Sequence, residues 1–270
     1  MLAGWWAGAG PAFAQDGEAS PPTASPASAA LPRYRLPVGE RLGFHGRWFG
    51  IPVGSGWIEV KEVVELEGRQ AYHIELQGHT NNVLSKVYPI HDVIHSYVDV
   101  ETLRPLRFEK DQREGHYRAQ EVVTFDHAKR TATYRSLLNG SVKDIPLPED
   151  FQDLLSAFYW FRAQPLPSEG GTLPLLLYSD EKLFEVRVIV RPPASLELLH
   201  RGTFQCTEVE PSAGFKGVLI KRARLWAYMT ADPARLPLLV KALTPWGAMS
   251  AVIDERSLAS DPAIPPPPPP

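Results

Sequence analysis

One short segment of the chain combines residues that bind metal ions: His91, Asp92 and His95. On a strand His91 and His95 share a face, and on a helix they stack, so two imidazoles could bind one ion in either case. The segment lacks an evident third ligand, although His73 and His79 on the neighbouring predicted hairpin could supply one. Structural histidines on a half-buried sheet show the same pattern. We therefore predict no metal site and no cofactor.

Carboxylates are the second group with catalytic potential. Glycoside hydrolysis needs two of them about 5–9 Å apart across a cleft. The chain has 31 acidic residues, so pairs are expected by chance, and solvated strand faces explain them. Ser156 lacks the G-x-S-x-G elbow of a nucleophile, and no phosphate loop, dinucleotide fingerprint or H-E-x-x-H is present. We expect no catalytic residues, and an envelope enzyme acting on glycans is the alternative, with these candidate carboxylates: Glu75, Asp99, Glu109, Glu121 and Asp126.

A single stretch shows the spacing of a helix, from Asp150 to Gln164. Asp150 is the expected N-cap, because its carboxylate can accept hydrogen bonds from the first-turn amides. Pro165 lacks a backbone donor and ends the predicted helix. The apolar residues recur at i, i+3, i+4, i+7 and i+8, which predicts one buried stripe. These residues are Phe151, Leu154, Leu155, Phe158 and Tyr159.

The same helix carries four consecutive aromatic residues, 158–161, and successive helical positions point about 100° apart. Trp160 and Phe161 therefore lie off the stripe, and either meet a second surface or line a hollow. Packing in a core is the favoured interpretation, and a lid over an apolar ligand cavity is the other. If a ligand binds, the predicted contacts are Phe158, Trp160, Phe161, Arg162 and Trp226.

Several arginines could add a cationic rim to that site. Arg162 lies on the helix, and Arg222, Arg224 and Arg235 lie near Trp226. The alternation of polar and apolar residues around position 224 is equally typical of an amphipathic strand. The segment 232–235 is expected to be a turn in which its first residue, an aspartate, binds local amides.

The rest of the folded chain is predicted to be β-structure. Residues 44–49 and 57–64 indicate strands, joined by a glycine-rich link over 50–56. The Glu67-Gly68-Arg69 turn and the Asn139-Gly140 pair indicate hairpins. Regular short strands predict a mainly β fold: an antiparallel meander forming a curved sheet or half-barrel, with one amphipathic helix (about 150–164) packed on it. We expect a single domain over residues 38–256.

Composition restricts the class of protein further. The net charge is -3, with 28 basic and 31 acidic residues, which gives no global field that would attract nucleic acid. Cys206 is the sole cysteine, so it cannot form an internal disulfide, and we expect it to be buried and inert. No later run approaches the ~20 apolar residues of a membrane span, so no transmembrane segment is expected in the mature chain. The oligomeric state stays open.

The two ends have compositions unlike the middle. Residues 1–14 are apolar and close on Ala12-Phe13-Ala14, an A-x-A cleavage pattern, so they are expected to be the end of a secretory signal. Residues 15–37 are rich in Ala, Ser and Pro and are expected to form a disordered tether. Residues 257–270 end in six prolines and are expected to form a disordered tail. These features predict export to the periplasm.

The chain also resembles a known family. Five segments carry this resemblance, in order: Phe49–Gly54, His95–Pro105, Glu121–Asp126, Asp153–Arg162 and Leu225–Pro237. Together they are similar to the bacterial domain-of-unknown-function family numbered 3108, over about residues 36–255. The resemblance implies an exported, β-rich domain of the cell envelope, like the curved sheets of lipoprotein and lipid carriers. It brings no established catalytic residues.

These observations lead to one functional expectation. The protein is expected to be exported and non-enzymatic, and to bind an amphipathic or lipid ligand, or an envelope partner, in its curved sheet. The off-stripe aromatic residues and the lack of a catalytic motif are the reasons.

Overall fold

A computed structural model describes residues 34–198, 202–215, 218–219, 224–245 and 247–259. The predicted signal segment, most of the predicted tether and tail, and Arg222 lie outside these residues. The strands are β1 Arg41–Trp48, β2 Ile51–Leu66, β3 Arg69–Thr80, β4 Ile90–Asp99, β5 Pro105–Glu114, β6 Tyr117–Asp126, β7 Thr131–Ser136, β8 Val142–Pro146, β9 Thr172–Ser179, β10 Lys182–Leu198, β11 Gly202–Phe215, β12 Val218–Leu219, β13 Arg224–Thr230, β14 Pro237–Thr244 and β15 Gly247–Ile253. The helices are α1 Leu154–Ala163 and α2 Glu255–Ala259, with a 3-10 turn at Leu84–Lys86.

All the strands join one antiparallel sheet, as the hairpin spacing predicts. Its order is β8-β7-β6-β5-β4-β3-β2-β1-β15-β14-β13-β11-β10-β9, with β12 paired to β11. The pairing of β1 with β15 joins the two halves of the meander. The sheet does not close, because β8 and β9 are its two end strands. Since these strands are also consecutive in sequence, the segment between them spans the open seam.

Tight turns fix the register of the hairpins. Glu67 and Gly68 have φ values of 51° and 78°, the left-handed pair of a two-residue turn that suits the twist of antiparallel strands. The expectation of a glycine-rich link over 50–56 is wrong, because β2 already begins at Ile51. Gly56 serves the strand itself: a Cβ there would lie 2.4 Å from the carbonyl oxygen of Gln77 on β3. Glycine is required by this close approach.

Two apolar clusters form the core, and α1 lies between them. The larger cluster includes Leu42, Ile74, Val123 and the α1 residues Leu155 and Tyr159, among others. The smaller cluster contains Phe161, Leu177, Val186, Val188, Val209 and Met229. Partly buried Phe158 packs against both clusters. The helix therefore buries opposite sides against different parts of the sheet.

The packed chain begins earlier than residue 38. Leu36 is 3% exposed and belongs to the larger cluster, and Tyr34 packs against it. Cys206 is buried, as expected. Among the described residues, no helix has both the length and the hydropathy needed to cross a bilayer.

Candidate functional site

The open seam between β8 and β9 is the site that the helix occupies. The segment before α1 pairs with the free edge of β9: Gln152 N donates to Leu176 O at 2.8 Å, and Tyr178 N donates to Gln152 O at 2.8 Å. Lys143 of β8 forms an ion pair with Glu181 in the β9–β10 turn. These contacts bring the edge strands β8 and β9 close together, but the two strands do not form a continuous ladder of backbone hydrogen bonds.

The N-terminus of α1 is anchored inside the sheet by Asp153. Its Oδ1 accepts hydrogen bonds from the amides of Leu155 (2.9 Å) and Ser156 (2.8 Å), and its Oδ2 accepts one from Ser96 Oγ on β4 (2.5 Å). The prediction of Asp150 as N-cap is wrong, because the helix begins three residues later than expected. Asp150 instead forms an exposed ion pair with Arg104. Asp153 is fully buried, so it both caps the helix and attaches it to β4.

The C-terminal end of α1 is held by a buried ion pair. Arg162 donates to both carboxylate oxygens of Glu40, at 2.5 and 2.7 Å, and its side chain is 2% exposed. Its Nε donates to the carbonyl of Ala234 at 2.9 Å, and Tyr159 Oη donates to Glu40 at 3.3 Å. Burial acts to lower the pKa of Arg162, but the hydrogen bonds and charge of Glu40 raise it above its usual value. The guanidinium therefore stays charged.

The predicted ligand contacts divide into two places. Phe158, Trp160 and Phe161 all contact the smaller apolar cluster, so the second surface expected for the off-stripe aromatic residues exists. Trp226 lies apart on β13, beneath the guanidinium of Arg224 at 4.7 Å from its ring centroid. It belongs to neither cluster among the described residues. The structure does not bring it together with the helix.

The three described arginines of the predicted cationic rim do not converge, and Arg222 lies outside the described residues. Arg162 is buried against Glu40, Arg224 donates to Glu210 at 2.9 Å, and Arg235 binds carbonyl groups at the end of α1, including that of Arg162 at 3.1 Å. The expected turn at Asp232 is confirmed, because its Oδ1 accepts from Ala234 N at 2.8 Å.

The candidate carboxylates of the alternative enzyme are distributed over separate contacts. Glu75 pairs with Lys61, Asp99 with Arg69, Glu109 with Arg107, Glu121 with Lys110 and Asp126 with Lys129. Glu75, Asp99 and Glu121 are buried, and Glu121 lies on the core face of its strand, the face that carries Val123 and Phe125. Lys110 is 7% exposed and is 3.0 Å from Glu121 and 2.9 Å from Asp180 in the β9–β10 turn. This buried cation therefore connects β5 and β6 to the other side of the seam.

Sequence reasoning missed an interior pair of carboxyl groups. Asp92 and Glu114 lie on neighbouring strands and share a hydrogen bond. Burial and the nearby Asp92 raise the pKa of Glu114 to about 7. Gln112 Nε2 donates to Glu114 at 3.1 Å, and Asp92 Oδ1 accepts from Arg113 N at 3.1 Å. The pair therefore holds a proton near neutral pH.

The histidines lie on the face of β3 and β4 opposite the core. His95 meets His73, with 3.0 Å between its Nδ1 and the Nε2 of His73, and Glu75 lies beside them. His91 instead faces His79 in the β3–β4 register. Burial and the neighbouring His95 lower the pKa of His73. The pattern at 91–95 thus located one member of a cluster whose other members come from β3.

Exposed apolar side chains gather at one end of the sheet. Thirteen large hydrophobic residues are exposed among the described residues, and all except Val38 and Val63 lie at the end that carries the β1–β2 turn. They occupy five loops that this end of an antiparallel meander brings together. We call these loops the apolar rim: Trp48, Phe49 and Ile51; Val83, Val87 and Tyr88; Tyr117; Leu137, Leu138 and Val142; and Leu243.

Direct contacts join neighbouring loops of the apolar rim. Asn81 Nδ2 donates to Pro52 O at 2.8 Å, Gly115 N donates to Pro89 O at 2.8 Å, and Phe49 N donates to Ala248 O at 2.8 Å. The loop stretches 47–51, 81–89, 115–118, 137–142 and 243–245 contain no Asp or Glu. They do contain basic side chains, those of Arg47, Lys86 and Arg118.

The open sheet with a helix in its seam defines the class: an antiparallel, barrel-like β-meander. The chain belongs to the family described as "Protein of unknown function (DUF3108)", whose model matches residues 43–254. The family resemblance of the sequence is thereby confirmed. Among curated proteins, none matches this sequence.

Solved structures match this chain at low sequence identity. The β-barrel-like protein of the DUF1849 domain from Brucella abortus is 10% identical, covers 82% of this chain and 97% of its own, and has a TM-score of 0.56. A candidate exported protein with a YmcC-like fold from Bacteroides fragilis is 13% identical, covers 83% of this chain and 98% of its own, and has a TM-score of 0.31. The first of these shows the fold alone.

Proposed function

We propose that this is an exported, periplasmic binding protein for an amphipathic ligand, and that α1 is a plug that the ligand displaces. The observation that carries this proposal is the position of Phe158, which packs against both apolar clusters across the open seam. A ligand that replaced the aromatic side of α1 would meet the apolar strands of the smaller cluster. Displacing α1 in this way would break no backbone hydrogen bond between the paired strands of the sheet.

The polarity of the interior favours an amphipathic ligand over a purely apolar one. Polar groups lie at the end of β9: Asp180 follows this strand and binds buried Lys110. Tyr178 of β9 packs in the larger cluster, whereas its neighbour Leu177 packs in the smaller one. Tyr178 Oη is buried without a protein partner among the described contacts. Unpaired buried hydroxyl groups are costly, so a ligand head group that bonds to it would be stabilised.

The apolar rim supports exchange of this ligand at a membrane surface. The rim places exposed aromatic and aliphatic side chains beside basic ones. This combination suits the interface of an anionic bilayer, because apolar side chains insert there and basic side chains bind lipid phosphates. Phe49 has φ 48°, a conformation that favours Gly or Asn, so the turn keeps a 64% exposed aromatic residue at a conformational cost. We propose that this rim docks the protein on anionic lipid.

Ligand binding is tested with dansyl-undecanoic acid, whose fluorescence rises in an apolar site. The Trp160→Ala, Phe161→Ala double variant removes the side chains that α1 places in the smaller cluster, so we expect the measured affinity to change at least tenfold. Trp226→Ala, which alters neither cluster, is the matched control and should bind as wild type. Equal affinities in all three proteins would contradict the proposal.

Membrane docking is tested by co-sedimentation with vesicles of phosphatidylethanolamine containing phosphatidylglycerol. Phe49→Asn with Ile51→Thr keeps residues suited to the turn and the strand but removes two exposed apolar groups. Each fully buried group of this size contributes about 1.5–3 kcal/mol, so partitioning should fall at least tenfold. Val63→Thr, at an exposed apolar residue away from the rim, is the control. Equal vesicle partitioning of the variant and the wild type would contradict the assignment of the rim to lipid. So would a wild-type protein that binds another protein through this rim but binds no vesicle.

A further inference from the structure

The outer face of β3 and β4 carries three ligand groups that converge. We infer that His73, Glu75 and His95 form a binding site for a divalent transition metal, and that Zn²⁺ is the ion that fits it. One ligand atom of each residue lies within 4.8 Å of the other two. The site lies opposite the core, because these residues alternate with buried Ile74 and Ile94. It therefore goes beyond the proposed ligand-binding function.

The distances suit one small ion. His73 Nε2 and His95 Nδ1 are 3.0 Å apart, and Glu75 Oε2 is 3.7 Å from His95 Nδ1. Bonds of about 2.0–2.2 Å to Zn²⁺ in tetrahedral geometry place neighbouring ligand atoms about 3.3–3.6 Å apart. The Glu75–His73 separation is at most 4.8 Å, so an ion would draw these two ligand atoms together by up to about 1.2 Å. Two imidazoles with one carboxylate are a ligand set that zinc uses, leaving a fourth position for water.

Partners outside the three ligands already orient them. Glu62 Oε1 lies 3.9 Å from His73 Nδ1, on the side of the ring away from the converging atoms. A carboxylate hydrogen-bonded behind a metal-binding histidine fixes its tautomer, and exposed Glu62 would have to move closer than 3.9 Å to do so. Tyr97 stacks on the His73 ring, with centroids 4.8 Å apart and planes 9° apart. Gln77 Nε2 donates to Glu75 Oε1 at 2.7 Å, so Oε2 is the oxygen directed to the site.

Lys61 is the group that a metal ion must replace. Its Nζ donates to Glu75 Oε2 at 2.9 Å, the atom that would bind the metal. The lysine side chain is 38% exposed and the glutamate side chain is 8% exposed. The ammonium group can therefore move into solvent while the carboxylate stays in place. This competition predicts that removing Lys61 strengthens metal binding, which a purely structural hydrogen-bond network would not do.

The class of ion follows from the ligand types. Imidazole nitrogens suit Zn²⁺ and its first-row neighbours, whereas Ca²⁺ and Mg²⁺ prefer all-oxygen sites. We therefore expect Zn²⁺ to bind and Mg²⁺ not to compete. Co²⁺, which absorbs visible light when it has four or five ligands, should report the same site.

The test is titration of the full chain with Zn²⁺ by calorimetry, and with Co²⁺ by absorbance, after removal of bound metal with a chelator. We expect His73→Gln and His95→Gln each to weaken binding at least tenfold, and Lys61→Met to strengthen it. The matched control is His79→Gln with His91→Gln, a histidine pair on the same two strands, and it should bind Zn²⁺ as wild type does. Circular dichroism checks that each variant is folded.

Three results would overturn the site. Wild-type protein could show no saturable Zn²⁺ binding at one ion per chain. The control pair could lose as much affinity as His73→Gln, which would place the ion elsewhere. Lys61→Met could bind more weakly than wild type, which would show that the lysine supports the cluster and does not compete for it. A failure of this site would leave the ligand-binding proposal untouched, since the two use opposite faces of the sheet.

Discussion

The buried ion pair between Glu40 and Arg162 should control how firmly α1 closes the seam. Replacing Glu40 with Gln keeps the shape of the side chain but removes the charge that neutralises Arg162. Arg162 is 2% exposed, so its guanidinium would stay buried with two neutral acceptors, the Ala234 carbonyl and the new amide oxygen, and without a counter-charge. Removing one partner of a buried pair costs about 3–5 kcal/mol, and the retained amide oxygen offsets part of this. We expect the free energy of unfolding to fall by about 2–4 kcal/mol.

Urea unfolding followed by circular dichroism measures this loss, and hydrogen exchange shows where it acts. Amides of α1 should exchange faster in Glu40→Gln, while the central strands β3 and β4 keep their protection. Replacing the pair by Glu40→Leu with Arg162→Met should recover most of the stability, because no charge is then left buried and unpaired. A loss below about 1 kcal/mol in Glu40→Gln, or a double variant as unstable as the summed single variants, would refute the reasoning.

Three further predictions follow from buried groups. Because the pKa of Glu114 is raised to about 7 in the folded protein, the unfolded chain binds fewer protons above pH 4.5, and the free energy of unfolding should fall between about pH 4.5 and 7. Glu114→Gln, beside Asp92, should flatten that dependence in urea titrations at several pH values; an unchanged slope would contradict the assignment. Asp153→Ala removes the helix cap and the partner of Ser96, and should cost about 2–4 kcal/mol by the same assay, whereas a loss typical of a surface cap, about 1 kcal/mol, would show that the buried contact contributes little. Burial raises the pKa of Cys206, so its thiol should react with Ellman's reagent only in urea, and fast labelling of native protein would show that it is accessible.

The sequence predicted the sheet and the helix because both have strong local signals. Alternating apolar residues and hairpin turns determine strands, and the i, i+3, i+4 stripe determines α1. The cap was misplaced by one turn because Asp150 and Asp153 are both good N-caps locally. Only the tertiary contact of Asp153 with Ser96, 57 residues away, decides between them.

The candidate sites were harder to predict, since they depend on register. His95 meets His73 and Glu75 because β3 and β4 pair in one particular register, which no local pattern specifies. The apolar rim is spread over five loops separated by up to about 200 residues, and each loop alone contains only one to three exposed apolar residues. Gly56 looked like part of a linker because close backbone contact between strands has the same composition as a flexible link.

The central claim is that α1 is a plug over a ligand-binding interior, and one measurement tests it most directly. Hydrogen exchange of the full chain is recorded with and without saturating dansyl-undecanoic acid. We predict that the amides of 154–163 lose protection on binding while the strands around Leu177 and Val186 gain it, because the ligand replaces the helix aromatics in the smaller cluster. Binding with unchanged or increased protection of α1, or no saturable binding, would contradict the role of α1 as a plug.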